Sequence, residues 1–527
     1  MKKLVLALFV LMGIAAQAQV TTISGDITSN TTWTADHVYE LTGGFVYVTN
    51  NATLTIQPGT LIKGNQSALV ITRGAKIMAS GTASQPIVFT SYQAVGQRAP
   101  GDWGGVLVLG KAPINDPAGQ RLAEGGIDPV KGLYGGTDAD DNSGVLEYVR
   151  IEYAGIAFQP NNETNGLTMG GVGRGTTVNH IQVSFGGDDS FEFFGGTVNA
   201  KHLISYRGVD DEFDTDYGFQ GMLQFCVSLR DSSYADVSGS NGFESDNDAT
   251  GSTNTPNTKP IISNFTIVGP MRTLGTTVHA NYKRAAHLRR STSECVYNSL
   301  LMGYPTGLKI EGQTTADNAT NGSLQWKNNI IAGCTNSFDS TGLTGINVLS
   351  WFNSNSNSTL TNVGDLMLGN PYNWTAPNFQ PQVGSPALLG ADFGAANLSS
   401  SFFTVTTYRG AFDGVTDWTS GWSNWDPQNS PYTSGITAVT APVAGTLSLY
   451  PNPASDEARI SFTLDRGGDV NVSVLTLNGQ QVMSETRKMS SGVNQINLTT
   501  SKLPAGLYLV RVVSNAGSTT ARLTVAH

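Results

Sequence analysis

The stretch His180-Ile-Gln-Val-Ser-Phe-Gly-Gly-Asp-Asp-Ser-Phe191 recurs, with substitutions, as His202-Leu-Ile-Ser-Tyr-Arg-Gly-Val-Asp-Asp-Glu-Phe213. The histidine, the paired aspartates and the final phenylalanine repeat at a constant spacing of 22 residues. A repeat of this length is about one coil of a parallel β-helix, whose stacked coils bury an apolar interior that no single coil buries alone. The repeat therefore predicts coils of about 22 residues, with Asp188 beside Asp210 and Asp189 beside Asp211.

Short alternating segments separated by glycine flank this repeat, as in 54–62, 69–77 and 261–269. The chain has 61 glycines and only 13% charged residues, a composition typical of strands and turns rather than long helices. An antiparallel sandwich or propeller would share this composition, but Asn-Gly hairpin signals are sparse. We predict an all-β chain, with a right-handed parallel β-helix (solenoid) followed by a small C-terminal β-sandwich.

The two ends of the chain differ from its body. Lys2 and Lys3 precede an apolar run, 4–16, and the triplet Ala16-Gln17-Ala18, which is the pattern of a signal peptide. Trp418, Trp422 and Trp425 supply apolar bulk for a cap at the far end of the helix, although a sugar-stacking platform would use the same residues. The predicted domains are a signal peptide at 1–18, an N-terminal cap at 19–42, the β-helix body with its C-terminal cap region at 43–430, a linker at 431–446 and a β-sandwich at 447–527.

The net charge of the chain limits the classes of partner that the protein can bind. The chain carries a net charge of −10, and both flanking segments are basic, so residues 19–446 carry −14. An acidic body disfavours nucleic acid and anionic membranes as partners and favours cations.

The three cysteines, Cys226, Cys295 and Cys334, have no metal-binding spacing; either one disulfide forms or all three are small core residues.

Six or seven alternating strands in 447–527 predict the sandwich, and its motifs are recognisable. Tyr450-Pro-Asn-Pro-Ala454, Leu477-Asn-Gly479 and Leu503-Pro-Ala-Gly-Leu-Tyr508 resemble the type A sorting domain of the Bacteroidota type IX secretion system. The resemblance implies that the partner is that secretion machinery and that the protein crosses the outer membrane. It also implies removal of the domain and release or attachment to surface lipopolysaccharide. The motif residues are Pro451, Asn452, Pro453, Gly479, Gly506 and Tyr508.

The body has a resemblance of its own. Gly101-Asp-Trp-Gly-Gly105, Tyr134 to Gly144, Phe191 to Val198 and Asp214 to Gly218 are similar to segments of secreted Bacteroidota β-helix proteins that have no assigned activity. This resemblance supports the architecture and brings no mechanism.

Acidic residues are the strongest local signal in the body. Two unit charges about 4.8 Å apart repel by roughly 3 to 4 kcal/mol at an effective dielectric constant of 20, so stacked aspartates need compensation. Oxygen-rich turns suit calcium, which takes six to eight oxygen ligands, whereas the alternative is pairing with Arg207, Lys201 or the basic stretch 283–290. Glu192, Glu212 and the cluster Glu244-Ser-Asp246-Asn-Asp248 lie nearby or form a further candidate. The predicted calcium ligands are Asp138, Asp140, Asn142, Asp188, Asp189, Asp210, Asp211, Asp214 and Asp216.

The same aspartates are candidates for catalysis. Paired aspartates on neighbouring coils resemble the active sites of glycosidases that open pectin-like chains, in which one carboxyl is the acid and the other the base or nucleophile. The companion motifs of those enzymes have no clear match, and Gly307-Leu-Lys309-Ile is the nearest to one of them. A lyase would need calcium and a base such as Arg284 or Arg289. The catalytic candidates are Asp188, Asp189, Asp210 and Asp211.

The sequence therefore predicts a secreted or outer-membrane-attached β-helix protein, stabilised by calcium, that acts as a binding or structural protein of the cell surface. A polysaccharide is the expected ligand. The alternative is an enzyme, either a glycoside hydrolase or a polysaccharide lyase, acting on acidic glycans.

Overall fold

The computed structural model describes residues 19–159, 162–432, 447–464, 467–476, 481–514 and 517–527. The predicted signal peptide and most of the predicted linker lie outside these ranges. The chain divides into two compact units, Met1–Gly435 and Ile436–His527. In the described ranges, no helix is long and apolar enough to cross a membrane.

The first unit is a parallel β-helix, as predicted, and each coil contributes one strand to each of three parallel ladders. Sheet 1 consists of Thr31–Trp33, Thr53–Ile56, Lys76–Ser80, Gly144–Glu152, Thr177–Ser184, Asn199–Tyr206, Met222–Gln224, Ile261–Ser263, Cys295–Tyr297 and Trp326–Lys327.

Sheet 2 shares with sheet 1 the three long strands Gly144–Glu152, Thr177–Ser184 and Asn199–Tyr206. Each of these strands bends at a residue with positive φ, which is Tyr148, His180 or His202. The other strands of sheet 2 are Gln19–Ile23, His37–Leu41, Leu61–Gly64, Ile87–Ser91, Val227–Leu229, Thr266–Val268, Leu300–Met302, Ile330–Ala332 and Ser358–Leu360. The predicted N-terminal cap, 19–42, therefore pairs in the same ladders as the coils that follow it.

Sheet 3 carries the candidate site. In the described part of the chain it has ten strands: Gly44–Val48, Ser67–Ile71, Val106–Leu109, Leu167–Gly170, Phe191–Phe194, Phe213–Asp216, Asn241–Ser245, Arg284–Leu288, Thr306–Ile310 and Asn336–Asp339. Inward residues of adjacent coils stack, with the rings of Phe191 and Phe213 5.4 Å apart, and form one continuous apolar core.

The coil length is predicted correctly only in part. Thr177 pairs with Asn199 and Phe191 with Phe213, which confirms the spacing of 22 residues in this region. Spacings of 23 residues, as between Leu54 and Ile77 or between Ala200 and Leu223, agree with the prediction in further coils. In the remaining coils the prediction is wrong, because loops inserted at the corners lengthen the circuit without disturbing strand pairing. The spacing reaches 61 residues between the paired residues Val106 and Leu167 of sheet 3.

The inserted segments contain further short elements of this unit. Two α-helices, Gln313–Asn321 and Val348–Ser354, lie between strands of the last coils. Two antiparallel pairs join Arg121–Leu122 to Leu133–Tyr134 and Ala157–Gln159 to Asn162–Glu163.

After the last coil, residues 361–432 return along the outside of the helix. The backbone N–H of Asp392 donates to Asn298 Oδ1, that of Thr404 to Gln224, and that of Asn424 to Gln182, so the segment travels from late coils to early ones. It includes Val363–Leu366, Leu368–Asn370, Asn378–Pro381, Pro386–Leu388 and Ala396–Leu398. We call residues 361–432 the return segment.

The expectation that the tryptophans cap the end of the helix is wrong. Tyr148, His180 and His202 stack along the bend between sheets 1 and 2, with ring centroids 4.4 and 4.3 Å apart. The ring of Trp422 lies edge-on to His180 at 5.5 Å, and Trp418 lies beside His202 at 5.1 Å. The aromatic bulk therefore covers the side of the coils. Cys226, Cys295 and Cys334 are all free thiols.

The second unit is a β-sandwich. One antiparallel sheet contains Ser448–Tyr450, Glu457–Leu464 and Gly492–Thr499, and the other contains Gln481–Met489, Gly468–Thr476, Gly506–Ser514 and Gly517–Val525. Side chains from both sheets share one apolar core.

Residues of the predicted sorting motif take part in the sandwich. Asn452 Nδ2 donates to the carbonyl of Arg522 and Asn452 Oδ1 accepts from the backbone N–H of Thr524, both at 2.8 Å. Tyr508 Oη donates to the carbonyl of Pro504 at 2.8 Å. Gly479 lies outside the described residues.

Candidate carboxylate site on sheet 3

The paired aspartates lie at the turns that lead into two adjacent strands of sheet 3. Asp189 Oδ1 accepts a hydrogen bond from the backbone N–H of Asp211 at 2.8 Å, and the Asp211 carbonyl accepts from the N–H of Ser190 at 2.9 Å. The two turns therefore lie in register, and the carboxyl of Asp189 is fixed by the backbone of the next coil.

A second acidic row begins inside the strands. Glu192 pairs with Asp214, and Asp214 pairs with Glu244, while the phenylalanines beside them in sequence point into the core. Because successive side chains of a strand point to opposite faces, these three carboxyls lie on the outer face of sheet 3. Farther upstream, Val70 and Leu107 on the same sheet are covered by apolar loop residues such as Ile114, so the acidic row begins where that cover ends.

These turns and strands bring five carboxyls close together. One ligand atom each from Asp188, Asp189 and Asp210 lies within 4.8 Å of the others, and so does one each from Asp189, Glu192 and Asp214. We call these the turn group and the strand group; together they form the carboxylate site. A set of oxygens at such distances can surround a hard cation such as calcium.

Burial and like charge shift the acid-base behaviour of the site. Burial is the largest cause that raises the pKa of Asp188, Asp189, Glu192 and Asp214 well above the usual range, and neighbouring carboxylates raise it further. Burial also raises the pKa of Asp210 to about 8. Burial and the neighbouring carboxylates therefore both favour protonation of the site, and a bound cation would oppose it.

The basic residues considered as counter-charges are engaged elsewhere. Arg207 pairs with Asp231, and Lys201 Nζ donates to Thr404 Oγ1 at 3.0 Å. Arg289 and Arg290 both pair with Asp246, at 2.8 and 2.6 Å, and Arg289 also contacts Glu244. Arginine side chains therefore form ion pairs with Glu244 and Asp246, whereas among the described residues none pairs with the turn group or the strand group. The charges of Arg230 and Arg289 act on Asp210 and Asp214 only from a distance.

Arg230 does not pair with the two groups; its hydrogen bonds fix the turn that carries Asp210. It is fully buried and forms an ion pair with Glu212. Its Nη1 donates to the carbonyl of Gly208 at 2.8 Å, and Nη2 donates to that of Asn241 at 2.9 Å and to that of Asp210. One guanidinium thus satisfies three carbonyls at the edge of the site.

The remaining predicted ligands lie outside the two groups. Asp211 Oδ1 accepts from the Asn241 side chain at 3.1 Å, and burial raises the pKa of Asp211 to about 7. Asp216 Oδ1 accepts from the N–H of Tyr217 at 2.6 Å.

The three predicted calcium ligands upstream, Asp138, Asp140 and Asn142, form local contacts. Asp138 Oδ1 accepts from the N–H of Asp140 at 3.1 Å, and Asn142 Oδ1 accepts from that of Gly144 at 2.8 Å. Asp140 pairs with Arg174 at 3.0 Å. Among the described residues, Asp138 and Asp140 do not belong to a group of three such ligands.

Sequence reasoning omitted Glu192 from the ligand set. The signal was present, since Glu192 and Asp214 have the same spacing of 22 residues as the paired aspartates and follow matching phenylalanines. Glu124 and Glu163, whose charges raise the pKa of Asp188, gave no such signal because they lie on inserted loops.

Two family models match the chain. Residues 448–526 match the secretion system C-terminal sorting domain, so the protein is exported by type IX secretion, to the medium or the cell surface, with that machinery as a partner. Fold and tail together define a secreted β-helix protein. Residues 25–376 match the pectate-lyase like beta helix domain, and the chain belongs to that family. No curated protein matches the chain.

Proposed function

We propose that the protein is a calcium-dependent binding protein of the cell surface, which holds the metal in the carboxylate site and uses that face of the β-helix to bind an acidic polysaccharide. The observation that carries this proposal is the arrangement of five buried or half-buried carboxyls in two overlapping groups, each with ligand oxygens within 4.8 Å of one another. Among the described residues, no arginine or lysine forms an ion pair with any of them.

Without a metal, these carboxyls either repel one another as anions or lose their charge by protonation. Two carboxylates 4.8 Å apart repel by roughly 3 to 4 kcal/mol at an effective dielectric constant of 20, and protonated acids give up the charge that would recognise a ligand. Calcium removes the repulsion by direct coordination. A bound cation also attracts the carboxylates of a uronic acid, which the bare acidic site would repel.

The second candidate is a polysaccharide-degrading enzyme, which the family match favours. The local geometry gives it less support. Glycosidase carboxyls stand about 5 to 9.5 Å apart, whereas ligand oxygens of the turn group lie within 4.8 Å. Of the two bases considered for a lyase, Arg289 is paired with Asp246 and Glu244, and Arg284 Nη1 lies 3.4 Å from His287 Nδ1.

Retention and cleavage on a panel of immobilised acidic polysaccharides separate the two functions. We expect the mature protein to be retained in calcium and eluted by a chelator, with no release of reducing or unsaturated ends. Asp189→Asn should abolish retention, and Glu147→Gln, on sheet 1, should preserve it. Cleavage that is abolished by Asp189→Asn or Asp211→Asn would instead establish an enzyme. Retention that persists in the chelator would show that binding does not depend on calcium.

A further inference from the structure

We infer that the carboxylate site holds two divalent cations bridged by the carboxylate of Asp189. This inference rests on the proposed function, since it presupposes that the site binds metal. It adds the number of ions, their separate ligand sets and the residue they share.

The geometry offers two separate cation positions. Oxygen ligands lie about 2.4 Å from calcium, so ligands of one ion lie within about 4.8 Å of one another. The turn group satisfies this condition and so does the strand group, but the five carboxyls divide between the two sets rather than forming one. Asp189 alone belongs to both, and a carboxylate has two oxygens with which to bridge.

Unpartnered buried oxygens point to a ligand in each group. Asp210 Oδ1 and Asp214 Oδ1 are inaccessible to solvent and have no hydrogen-bond partner among the described residues. Asp189 and Glu192 are each only 7% exposed. A buried oxygen without a partner costs about 1 to 3 kcal/mol, more when charged, so one such oxygen per group marks two places where a cation restores a missing contact.

The charge balance also favours two ions. Five ionised carboxylates carry five negative charges, of which one divalent cation neutralises two and a pair neutralises four. The donors that remain are neutral: Asn165 Nδ2 contacts Glu192, Ser238 Oγ donates to Asp210 Oδ2 at 2.7 Å, and the N–H of Asp211 donates to Asp189. These three hydrogen bonds orient carboxylates without neutralising them, so a single ion would leave one group uncompensated.

Calorimetric titration of the metal-depleted mature chain with calcium chloride at pH 8 counts the ions. Asp189→Asn keeps an oxygen to accept from Asp211, so it removes charge without removing the hydrogen bond. We expect Asp189→Asn to lose two ions relative to the unmodified chain. Asp210→Asn and Glu192→Gln should each lose one ion. The double variant that combines these two substitutions should lose two ions, and Glu147→Gln should lose none. Differences between variants cancel any calcium bound elsewhere.

The outcomes are distinct. If Asp189→Asn, Asp210→Asn and Glu192→Gln each lose the same single ion, and the double variant also loses one, the bridge is wrong and the calcium function stands. If no variant loses an ion, the two-ion inference and the calcium-dependent function are both wrong. Should Asp189→Asn change the circular dichroism spectrum, the double variant decides, because one lost ion there overturns the inference and two support it. Manganese adds a spectroscopic test, since two ions sharing a carboxylate give a spin-coupled resonance that Asp189→Asn should abolish.

Discussion

Glu294 is a buried acid that the proposed function does not use, and its replacement by glutamine should stabilise the protein above neutral pH. The side chain is fully buried within the β-helix. Thr215 Oγ1 donates to its Oε2 at 3.4 Å, and its Oε1 has no partner among the described residues. Burial raises the pKa of Glu294 from 4.5 to about 8, although the neighbouring hydroxyls of Thr215 and Ser245 lower it.

The direction of this pKa shift determines how the stability of the folded state changes with pH. Because the folded state prefers the protonated acid, the stability that Glu294 contributes is fully present below pH 4.5 and is lost as the pH rises to 8. A difference of about 3.5 pH units at 1.36 kcal/mol each amounts to about 5 kcal/mol. Glutamine is neutral throughout, so Glu294→Gln should match the unmodified chain near pH 4.5 and exceed it by about 5 kcal/mol above pH 8.

Thermal unfolding in chelator at pH 5, 7 and 9 measures this difference. For a cooperative unit of about 400 residues, the unfolding entropy is near 0.8 kcal/mol per kelvin, so the midpoint should rise by about 6 °C at pH 9 and hardly at pH 5. Asp317→Asn removes a negative charge at an exposed helix position and controls for net charge. A midpoint difference that is constant with pH, or larger at pH 5, would refute the reasoning.

Calcium affinity should fall by at least tenfold from pH 8 to pH 6 and binding should release protons, because burial raises the pKa of Asp210 to about 8 and also raises the pKa of Asp188 and Asp189; titration in two buffers of different ionisation enthalpy measures both. Arg230→Met should destabilise the helix by about 3 to 5 kcal/mol in urea unfolding, since it leaves Glu212 buried and unpaired, whereas Arg230→Met combined with Glu212→Leu should cost less. Trp422→Ala should loosen the return segment, so that limited proteolysis cuts within 415–432 while the circular dichroism of the sheets persists; cuts spread evenly along the chain would contradict local detachment.

How much of this fold was predictable depended on whether neighbouring coils have equal lengths. Between residues 177 and 216 the circuit is short and uninterrupted, so the sequence itself displays the stacking of Asp189 and Asp211. Sequence pairing fails where a loop intervenes, although Phe213 and Phe243 still pair in sheet 3. The course of the return segment had no sequence signal, because contacts such as Gln182 with Asn424 join polar side chains to irregular backbone.

The position of the carboxylate site follows from the same property of the coils. Strand residues stay in register in every coil because backbone pairing enforces it, but turn residues stay in register only where two successive turns have equal length. Asp188 and Asp210 belong to such a pair of turns, whereas Glu192 and Asp214 belong to the strands that follow. Asp189 lies where the turn row meets the strand row, so it alone reaches both groups. A one-residue insertion between Asp210 and Phe213 should therefore displace the turn group, and it should also disturb the Asp211 N–H that holds Asp189. Calorimetry of that variant should show the loss of one ion and weaker binding of the other.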